Sequence, residues 1–184
     1  MLLELLCPRM IIERVQDLDV EALWAQGFRG LVFDLDNTLV SWRRWTFNPA
    51  VKAWLERAQA VGFHVCILSN CVFGRRVARF ARMYGIPAIP KAKKPQKKWF
   101  QQALDLLGTT AQQTIVVGDQ VFTDVLGGNR MGLFTVLVLP VDRREFYVTI
   151  VQRTAEKLIL FRLRRKGLLR DVAEEHSGIL FQSH

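Results

Sequence analysis

Polar and ionisable residues follow four apolar runs of this sequence, at or shortly after the points where predicted strands end. They are Asp34-Leu35-Asp36-Asn37-Thr38, Ser69-Asn70, Lys93-Lys94-Pro95 and Gly118-Asp119, with Asp124 five residues after Asp119. In open parallel sheets, ligands bind outside the carboxyl ends of the strands. We therefore expect the carboxylates of Asp34, Asp36 and Asp119 to converge on one small volume.

Three crowded carboxylates favour a particular chemistry. Like charges raise one another's pKa and destabilise a site unless a cation lies among them. A hard divalent ion with oxygen ligands resolves this conflict, and we expect Mg²⁺, which also binds substrate phosphate. One carboxylate can then attack the phosphoryl group, while a second protonates the leaving oxygen and later activates water. Ser69 and Lys94 would add a hydroxyl donor and a positive charge for the phosphoryl oxygens.

Each of these residues taken alone has a commoner structural interpretation. An aspartate after a strand is usually a turn residue or a helix cap. Ser69 alone is more often a cap, Lys94 alone a solvated lysine, and Asp124 alone fits the N-cap of the helix that follows it. Their occurrence together, at four strand ends in this order, indicates a site for phosphoryl transfer.

Apolar runs alternate with helical patterns through the part of the chain that holds these residues. The predicted strands are 30–33, 63–68, 86–89, 114–117 and 133–139, and the predicted helices are 49–61, 74–84, 95–107 and 124–131. Gly127 and Gly128 weaken the last of these helices. Alternation of this kind indicates βαβ units, and hence an α/β fold with a doubly wound, Rossmann-like parallel sheet.

The four polar segments resemble the four motifs of the haloacid dehalogenase (HAD) superfamily of phosphatases. The resemblance covers about residues 1–165 and is closest to the capless subfamily IIIA, the YqeG-like group, in the stretches 35–42 and 118–132. Some members of that group, including a mitochondrial enzyme, remove phosphate from phosphatidylglycerophosphate. The resemblance implies a HAD-like sheet and a Mg²⁺-dependent phosphomonoester hydrolase that works through an aspartyl-phosphate intermediate.

The resemblance also implies a role for each motif residue. Asp34 would be the nucleophile and a metal ligand, and Asp36 the general acid/base, which binds the metal through its main-chain carbonyl. Asp119 would be the main metal ligand of the fourth motif, supported by Gly118 and Asp124. The residues expected to bind the phosphoryl group are Thr38, Ser69, Asn70 and Lys94. Of the two adjoining lysines, Lys94 is chosen because the lysine of the family directly precedes the proline.

No cap domain is expected over this site. The intervals from Asp34 to Pro49 and from Lys94 to Asp119 are too short to hold one beyond the expected helix. A capless site is open, which favours a large or surface-bound substrate over a small metabolite. A partner chain would also be able to cover such a site.

The segment after the first motif carries residues that suit a lipid substrate. Arg43 and Arg44 are expected to rim the site, and two arginines can bind a second phosphate, as a phosphodiester-plus-monoester headgroup requires. Trp42 and Trp45 suit an interface between lipid and water. The alternative is a segment that packs down on the core while its arginines are merely solvated.

The net charge of +9 is concentrated in two blocks. Residues 74–98 hold nine Lys/Arg and no Asp/Glu, and residues 143–170 hold nine Lys/Arg against two acids. Clustered positive charge attracts phosphate-bearing partners, namely nucleotides, nucleic acid or anionic lipid. Solvated helix faces are the alternative. Because the first block contains Lys94, the second is the better candidate for contact with a membrane.

We predict a phosphatase core at 1–142, a basic C-terminal helix at 143–170 that packs on the core or on a membrane surface, and a disordered tail at 171–184. The helix is imperfectly amphipathic. No apolar run of eighteen residues, the length that a membrane-spanning helix needs, is present. The three cysteines suit a reducing compartment. The expected location is therefore the cytoplasm, with peripheral contact at the inner face of a membrane.

Three functions remain open at this point, in order of preference. The first is a Mg²⁺-dependent phosphatase that acts on phosphatidylglycerophosphate at a membrane surface. The second keeps the chemistry but acts on a soluble sugar phosphate, nucleotide or phosphoprotein. The third is a nucleic-acid-associated protein or end-processing phosphatase, which is disfavoured because no DNA- or RNA-binding motif is present.

Overall fold

Six parallel strands form one sheet in the computed structural model of the chain, which describes residues 2–142 and 150–169. The strands are β1 Met10–Ile12, β2 Gly30–Phe33, β3 His64–Leu68, β4 Ala88–Ile89, β5 Thr114–Gly118 and β6 Phe134–Val138. Their order across the sheet is β1-β6-β5-β2-β3-β4, and each neighbouring pair is parallel. The predicted α/β fold with a doubly wound parallel sheet is confirmed.

The two central strands end where the predicted site lies. All residues of β2 and β5 are buried, because helices cover both faces of a parallel sheet and its central strands are continuous apolar runs. Phe33 pairs with Val117 across these strands, so Asp34 and Gly118 emerge side by side at the carboxyl edge. On the other side of β2, Ile67 pairs with Phe33, which brings the end of β3 to the same edge.

Local sequence signals explain where the helices begin and end. The helices are α1 Leu2–Leu5, α2 Val20–Ala25, α3 Pro49–Val61, α4 Gly74–Tyr84, α5 Lys97–Leu107, α6 Leu126–Met131 and α7 Ile150–Arg165. Asn48 caps α3 by accepting the Ala50 N–H at 3.0 Å, and Pro49 fits the first turn. Gly85 and Gly108 end α4 and α5 with positive φ, a conformation that glycine adopts without steric penalty.

The N-terminal part of the chain holds elements that the sequence pattern did not predict. β1 is three residues long and pairs with β6 at the edge of the sheet, so the predicted set of five strands was one short. α2 is six residues long. Elements this short present too few residues for a periodic pattern to stand out. The strand predicted at 86–89 shrinks to β4 because Pro87 and Pro90 flank it.

The helix predicted at 124–131 begins differently in the structure. A π turn, Val121–Val125, precedes α6. A side chain at Gly127 would overlap the ring of Phe100, and one at Gly128 would overlap side chains of β5 and β6. The two glycines, which lower helix propensity, therefore allow α6 to lie directly against α5 and the sheet.

The described part of α7 packs on the core. Leu163 is fully buried, and Glu156 Oε1 accepts the N–H of Val121 at 3.0 Å, which attaches α7 to the π turn. Leu158 and Phe161, by contrast, are exposed. These residues of α7 therefore contact the core, and contact of the helix with a membrane stays a prediction.

The predicted division into 1–142, 143–170 and 171–184 stays a prediction. Residues 143–149 and 170–184, which include the start of the expected basic helix and the expected tail, lie outside the described residues. Within the described ranges, no helix combines the length and the apolar character needed to cross a membrane.

Replacement of Gly128 by alanine tests the close approach of α6 to the sheet. We expect Gly128→Ala to lower the free energy of unfolding by about 1–3 kcal/mol, because overpacking at β5 and β6 exceeds the gain in helix propensity. Urea unfolding measures this difference. Gly74→Ala is the matched control, since a side chain there meets no atom closer than 4.0 Å. A Gly128→Ala protein as stable as the wild type would contradict the packing argument.

Candidate active site

The structure brings the predicted site residues together at the carboxyl edge of the sheet. The buried residues of this site are Asp34, Asp36, Thr38, Ser69, Lys94, Gly118, Asp119 and Asp124. The first three follow β2, Ser69 follows β3, Lys94 follows β4, and the last three lie at or after the end of β5. Segments up to ninety residues apart in sequence therefore surround one small volume.

Lys94 joins two of the carboxylates. Its Nζ donates to Oδ1 of Asp34 and to Oδ1 of Asp124, each at 2.6 Å, and it is buried, whereas Lys93 is exposed. The Asn70 side chain holds the main chain of this lysine: Oδ1 accepts the Lys94 N–H at 2.7 Å, and Nδ2 donates to the Lys94 carbonyl at 3.3 Å. Asn70 thus fixes the segment that carries Lys94, and its contact with phosphate stays a prediction.

The position of Asp124 depends on a glycine. Any side chain at Gly118 would overlap the Asp124 carboxyl group, so only glycine lets that carboxylate lie against the end of β5. Asp124 Oδ2 accepts the Gln120 N–H at 3.2 Å and the Thr123 hydroxyl at 3.4 Å. The π turn therefore fixes one oxygen of Asp124 while the other faces Lys94, which is the geometry of an orienting residue.

The loop after β2 folds back on itself. Asn37 has a φ of 64°, a left-handed conformation that asparagine tolerates better than most residues. Its N–H donates to the Val40 carbonyl at 2.8 Å, and the Val40 N–H donates to the Leu35 carbonyl at 3.2 Å. These bonds hold Asp34 and Asp36 in fixed main-chain positions at the strand end.

Two buried hydroxyl groups of this site differ in the hydrogen bonds that they form. Ser69 Oγ accepts the Cys71 N–H at 3.1 Å, so its own O–H remains a donor for another acceptor. Thr38 Oγ1 has no hydrogen-bond partner among residues 2–142 and 150–169. Buried hydroxyl groups normally form hydrogen bonds, so both are suited to a ligand with acceptor oxygens.

Burial and neighbouring charges raise the pKa of Asp34. Removal from water is the largest cause, the Lys94 ammonium opposes it, and the Asp124 and Asp119 carboxylates add to it, so that the pKa of Asp34 rises to about 8. Burial by itself lowers the pKa of Lys94, but the carboxylates of Asp124 and Asp34 more than offset this effect and raise it. With these protein charges alone, Lys94 is charged at neutral pH and Asp34 is largely protonated.

The oxygen atoms of the site fit a hard divalent cation. In the described part of the chain, no three Asp, Glu, His or Cys side chains form a ready ligand cluster. Asp36 pairs with Arg76, and Asp124 pairs with Lys94, both of which are buried cations. The carboxylates of Asp34 and Asp119 and the main-chain carbonyl of Asp36 are the set that the resemblance implies. When all four are ionised, the four buried carboxylates exceed the two buried cations by two negative charges, and a divalent ion with oxygen ligands balances this excess.

One buried cation of the site was not predicted from the sequence. Arg76, on α4, donates through Nε to Asp36 Oδ1 at 2.9 Å. The basic pattern of α4 predicted only a solvated or phosphate-facing surface. The signal that distinguishes Arg76 is its place on the buried face of the helix, beside Val77 and Phe80, where an unpaired charge is unfavourable.

The two arginines predicted to contact substrate lie in an exposed segment. Arg43 and Arg44 both line a cavity of about 410 Å³ together with Trp45 and Asp142. Arg44 also lines a cavity of about 720 Å³ that reaches Thr38. Their contact with substrate stays a prediction.

Comparison with known proteins identifies relatives along most of the chain. Residues 3–141 match the model of the family described as mitochondrial PGP phosphatase. The chain is 39% identical over 167 residues to the probable phosphatase YqeG of Bacillus subtilis, and the match covers 91% of this chain and 96% of that one.

Two further relatives are longer than this chain. It is 32% identical to phosphatidylglycerophosphate phosphatase 1, chloroplastic/mitochondrial, of Arabidopsis thaliana, over 88% of this chain and 49% of that protein. It is 32% identical to the chloroplastic enzyme of the same name in Chlamydomonas reinhardtii, over 81% of this chain and 59% of that protein. The chain thus spans about half the length of these two relatives.

A solved structure supports the fold. An uncharacterized protein from Listeria monocytogenes serotype 4b superposes with a TM-score of 0.52 at 19% identity, over 75% of this chain and 99% of that one. The family match covers most of the chain, and a relative of nearly the same length is 39% identical. The chain therefore belongs to the PGP phosphatase family, and it is a phosphatase whose four motifs resemble those of the HAD superfamily.

Proposed function

We propose that this phosphatase removes the monoester phosphate of phosphatidylglycerophosphate at an anionic membrane surface, in a Mg²⁺-dependent reaction that passes through an aspartyl phosphate on Asp34. The observation that carries the proposal is the buried Lys94, which joins Asp34 and Asp124 at 2.6 Å. A fixed positive charge beside a carboxylate suits a group that must receive a phosphoryl dianion. The names of the Arabidopsis and Chlamydomonas relatives support the choice of substrate.

In the first step, a carboxylate oxygen of Asp34 attacks the phosphorus, and the bond between phosphorus and the alcohol oxygen of the lipid breaks. Asp36, as a carboxylic acid, gives its proton to that oxygen, which leaves as a hydroxyl group. Lys94 and the hydroxyl donors of Ser69 and Thr38 hold the phosphoryl oxygens. This step yields the dephosphorylated lipid and an aspartyl phosphate.

In the second step, water attacks the phosphorus and the bond from phosphorus to Asp34 breaks. Asp36, now a carboxylate, accepts a proton from the attacking water. Inorganic phosphate leaves, and both aspartates return to their starting states. Mg²⁺ bound by Asp34, Asp119 and the Asp36 carbonyl would supply positive charge to the phosphoryl oxygens and keep Asp34 ionised.

Four exposed apolar side chains flank the site on two loops, and we call them the aromatic rim. They are Trp42, Trp45, Val72 and Phe73. Val72 and Phe73 are 68% and 63% exposed, and the Trp42 ring meets the Phe73 ring edge to face with centroids 6.3 Å apart. Contiguous apolar groups exposed in this way mark interaction surfaces.

The aromatic rim suits an anionic bilayer. Tryptophan favours the boundary between lipid and water, and basic side chains near an anionic surface contribute about 1 kcal/mol each. Arg43 directly follows Trp42, Arg75 lies two residues after Phe73, and both arginines are exposed. A lipid whose headgroup enters the site would then keep its acyl chains in the bilayer, with the protein held at the inner face of the membrane.

The C-terminal helix offers a second exposed apolar surface. Leu158 and Phe161 of α7 are about half exposed, and Arg162 and Arg165 follow closely in sequence. This surface corresponds to the membrane contact that the basic sequence block favoured. We place the primary contact at the aromatic rim because it borders the catalytic residues.

The raised pKa of Asp34 predicts how pH and Mg²⁺ change stability. The pKa is about 8 in the folded chain and about 3.9 when unfolded. In the metal-free protein, this group therefore contributes stability at low pH that is lost as pH rises from about 4 to 8. Mg²⁺ binds the ionised form, so the increase in melting temperature that Mg²⁺ produces should be larger at pH 8 than at pH 6.

Thermal unfolding in EDTA and in Mg²⁺, at pH 6, 7 and 8, measures this effect. Asp34→Asn should abolish most of the Mg²⁺-induced stabilisation and its pH dependence. Asp105→Asn, the same change at an exposed carboxylate, should behave as the wild type. An equal Mg²⁺ effect at pH 6 and pH 8 in the wild type would show that Asp34 does not bind the ion in this way.

Phosphate release across a substrate panel tests the proposed substrate and the aromatic rim together. With Mg²⁺, we expect phosphatidylglycerophosphate in anionic vesicles to be hydrolysed with higher kcat/KM than glucose 6-phosphate, AMP or 5′-phosphorylated DNA. Val72→Ser/Phe73→Ser should lower kcat/KM on the vesicles at least about tenfold, because each side chain loses apolar burial. The activity of this double variant on 4-nitrophenyl phosphate in solution should equal that of the wild type.

Leu106→Ser is the control, since Leu106 is similarly exposed but lies near the end of α5, at the amino edge of the sheet. A soluble ester as the best substrate would favour the second function, and a DNA end the third. A loss of vesicle activity in Leu158→Ser/Phe161→Ser alone would move the membrane contact to α7.

A further inference from the structure

Arg76 makes an unusual set of contacts for a residue of a basic surface helix. It is 2% exposed. Its Nε donates to Asp36 Oδ1 at 2.9 Å, its Nη1 to the Arg44 carbonyl at 2.7 Å, and its Nη2 to the Ser41 carbonyl at 2.9 Å. One guanidinium therefore connects the proposed acid/base with two main-chain positions of the exposed segment 41–45.

Aromatic rings hold this guanidinium in place. Its central carbon lies 5.6 Å from the ring centroid of Trp42, 5.1 Å from that of Trp45 and 5.3 Å from that of Phe80. These distances are within the range of cation–π attraction. The rings also reduce the access of water, which strengthens the hydrogen bonds that the guanidinium donates.

The geometry leaves Arg76 little freedom. Arginine presents its donors in a rigid planar fork, so three acceptors fixed by one fork are also fixed relative to one another. A change in the position of Ser41 or Arg44 must shift the guanidinium, and with it the donor to Asp36. Lysine carries a single ammonium group and has no such fork.

We propose that Arg76 is a positioning residue, which orients the Asp36 carboxylate for proton transfer. Through the same guanidinium, the orientation of Asp36 depends on the position of the main chain in segment 41–45. The inference rests on the proposed role of Asp36 as general acid. It goes further in assigning a residue outside the four motifs to the acid step, and in linking the acid to the same segment that carries Trp42 and Trp45 of the aromatic rim.

The dependence of rate on the leaving group tests this role. Phenolate is a more basic leaving group than 4-nitrophenolate and needs protonation more. kcat/KM reports the step in which the leaving group departs. Arg76→Met should lower kcat/KM on phenyl phosphate about 100-fold, the scale of general acid catalysis, and on 4-nitrophenyl phosphate less than about tenfold. Arg82→Met, a change at an exposed arginine of the same helix, should leave both values unchanged.

A double-mutant cycle separates positioning from a merely structural role. If Arg76 acts through Asp36, Asp36→Ala/Arg76→Met should be no slower on phenyl phosphate than Asp36→Ala. Arg76→Lys keeps one positive donor but cannot span Asp36 and both carbonyls, so it should show a smaller loss with the same preference for 4-nitrophenyl phosphate. This variant decides the matter if Arg76→Met does not fold, which melting curves reveal.

Two results would overturn the inference, and they differ from each other. In the first, Arg76→Met lowers kcat/KM equally on both esters, and its effect adds to that of Asp36→Ala in the double variant. Arg76 would then support the fold or bind the phosphate, and it would not position the acid. In the second, the ratio of kcat/KM on phenyl phosphate to kcat/KM on 4-nitrophenyl phosphate is the same in Asp36→Ala as in the wild type. Asp36 would then not be the general acid. In that case the proposed mechanism fails, and the role of Arg76 fails with it.

Discussion

The structure depends on the burial of four carboxylates around one lysine at the carboxyl edge of a parallel sheet. Asp34, Asp36, Asp119 and Asp124 are all at least nine-tenths buried, where like charges are costly unless cations lie among them. Lys94 compensates two of them directly. The excess negative charge that remains when all four are ionised is a reason for the fold to bind a divalent ion. Burial, to which the Asp124 and Asp119 carboxylates add, keeps the pKa of Asp34 high when only protein charges surround it.

Much of the surrounding fold serves to hold this charged cluster rigidly. The register of β2 and β5 sets Asp34 beside Gly118, and the missing side chain of Gly118 makes room for the Asp124 carboxylate. Asn70 fixes the main chain of Lys94. Attachment of α7 to the π turn through Glu156 extends this support to the C-terminal helix. Preorganised charges need no rearrangement during the reaction, which is how such sites lower barriers.

The sequence predicted the parts of this arrangement that depend on local patterns. Apolar runs predicted the central strands, and the predicted helices at 74–84 and 95–107 end at the same residues as α4 and α5. The site residues themselves followed from their place at strand ends. Edge strand β1 was too short to show a pattern. The role of Arg76 was not predicted because composition does not reveal which arginine of a basic helix faces inward. Gly127 and Gly128 indicated a weak helix, whereas tertiary packing requires glycine at both positions.

Identification of the phosphorylated residue tests the central claim most directly. The enzyme is mixed with 4-nitrophenyl phosphate and Mg²⁺, quenched in acid during turnover, digested and examined by mass spectrometry. An acyl phosphate is stable enough in acid to be mapped, and the account predicts a phosphoryl group on Asp34 and none in the Asp34→Asn protein. Turnover with no phosphoryl group on Asp34, or with a phosphoryl group on another residue, would contradict it.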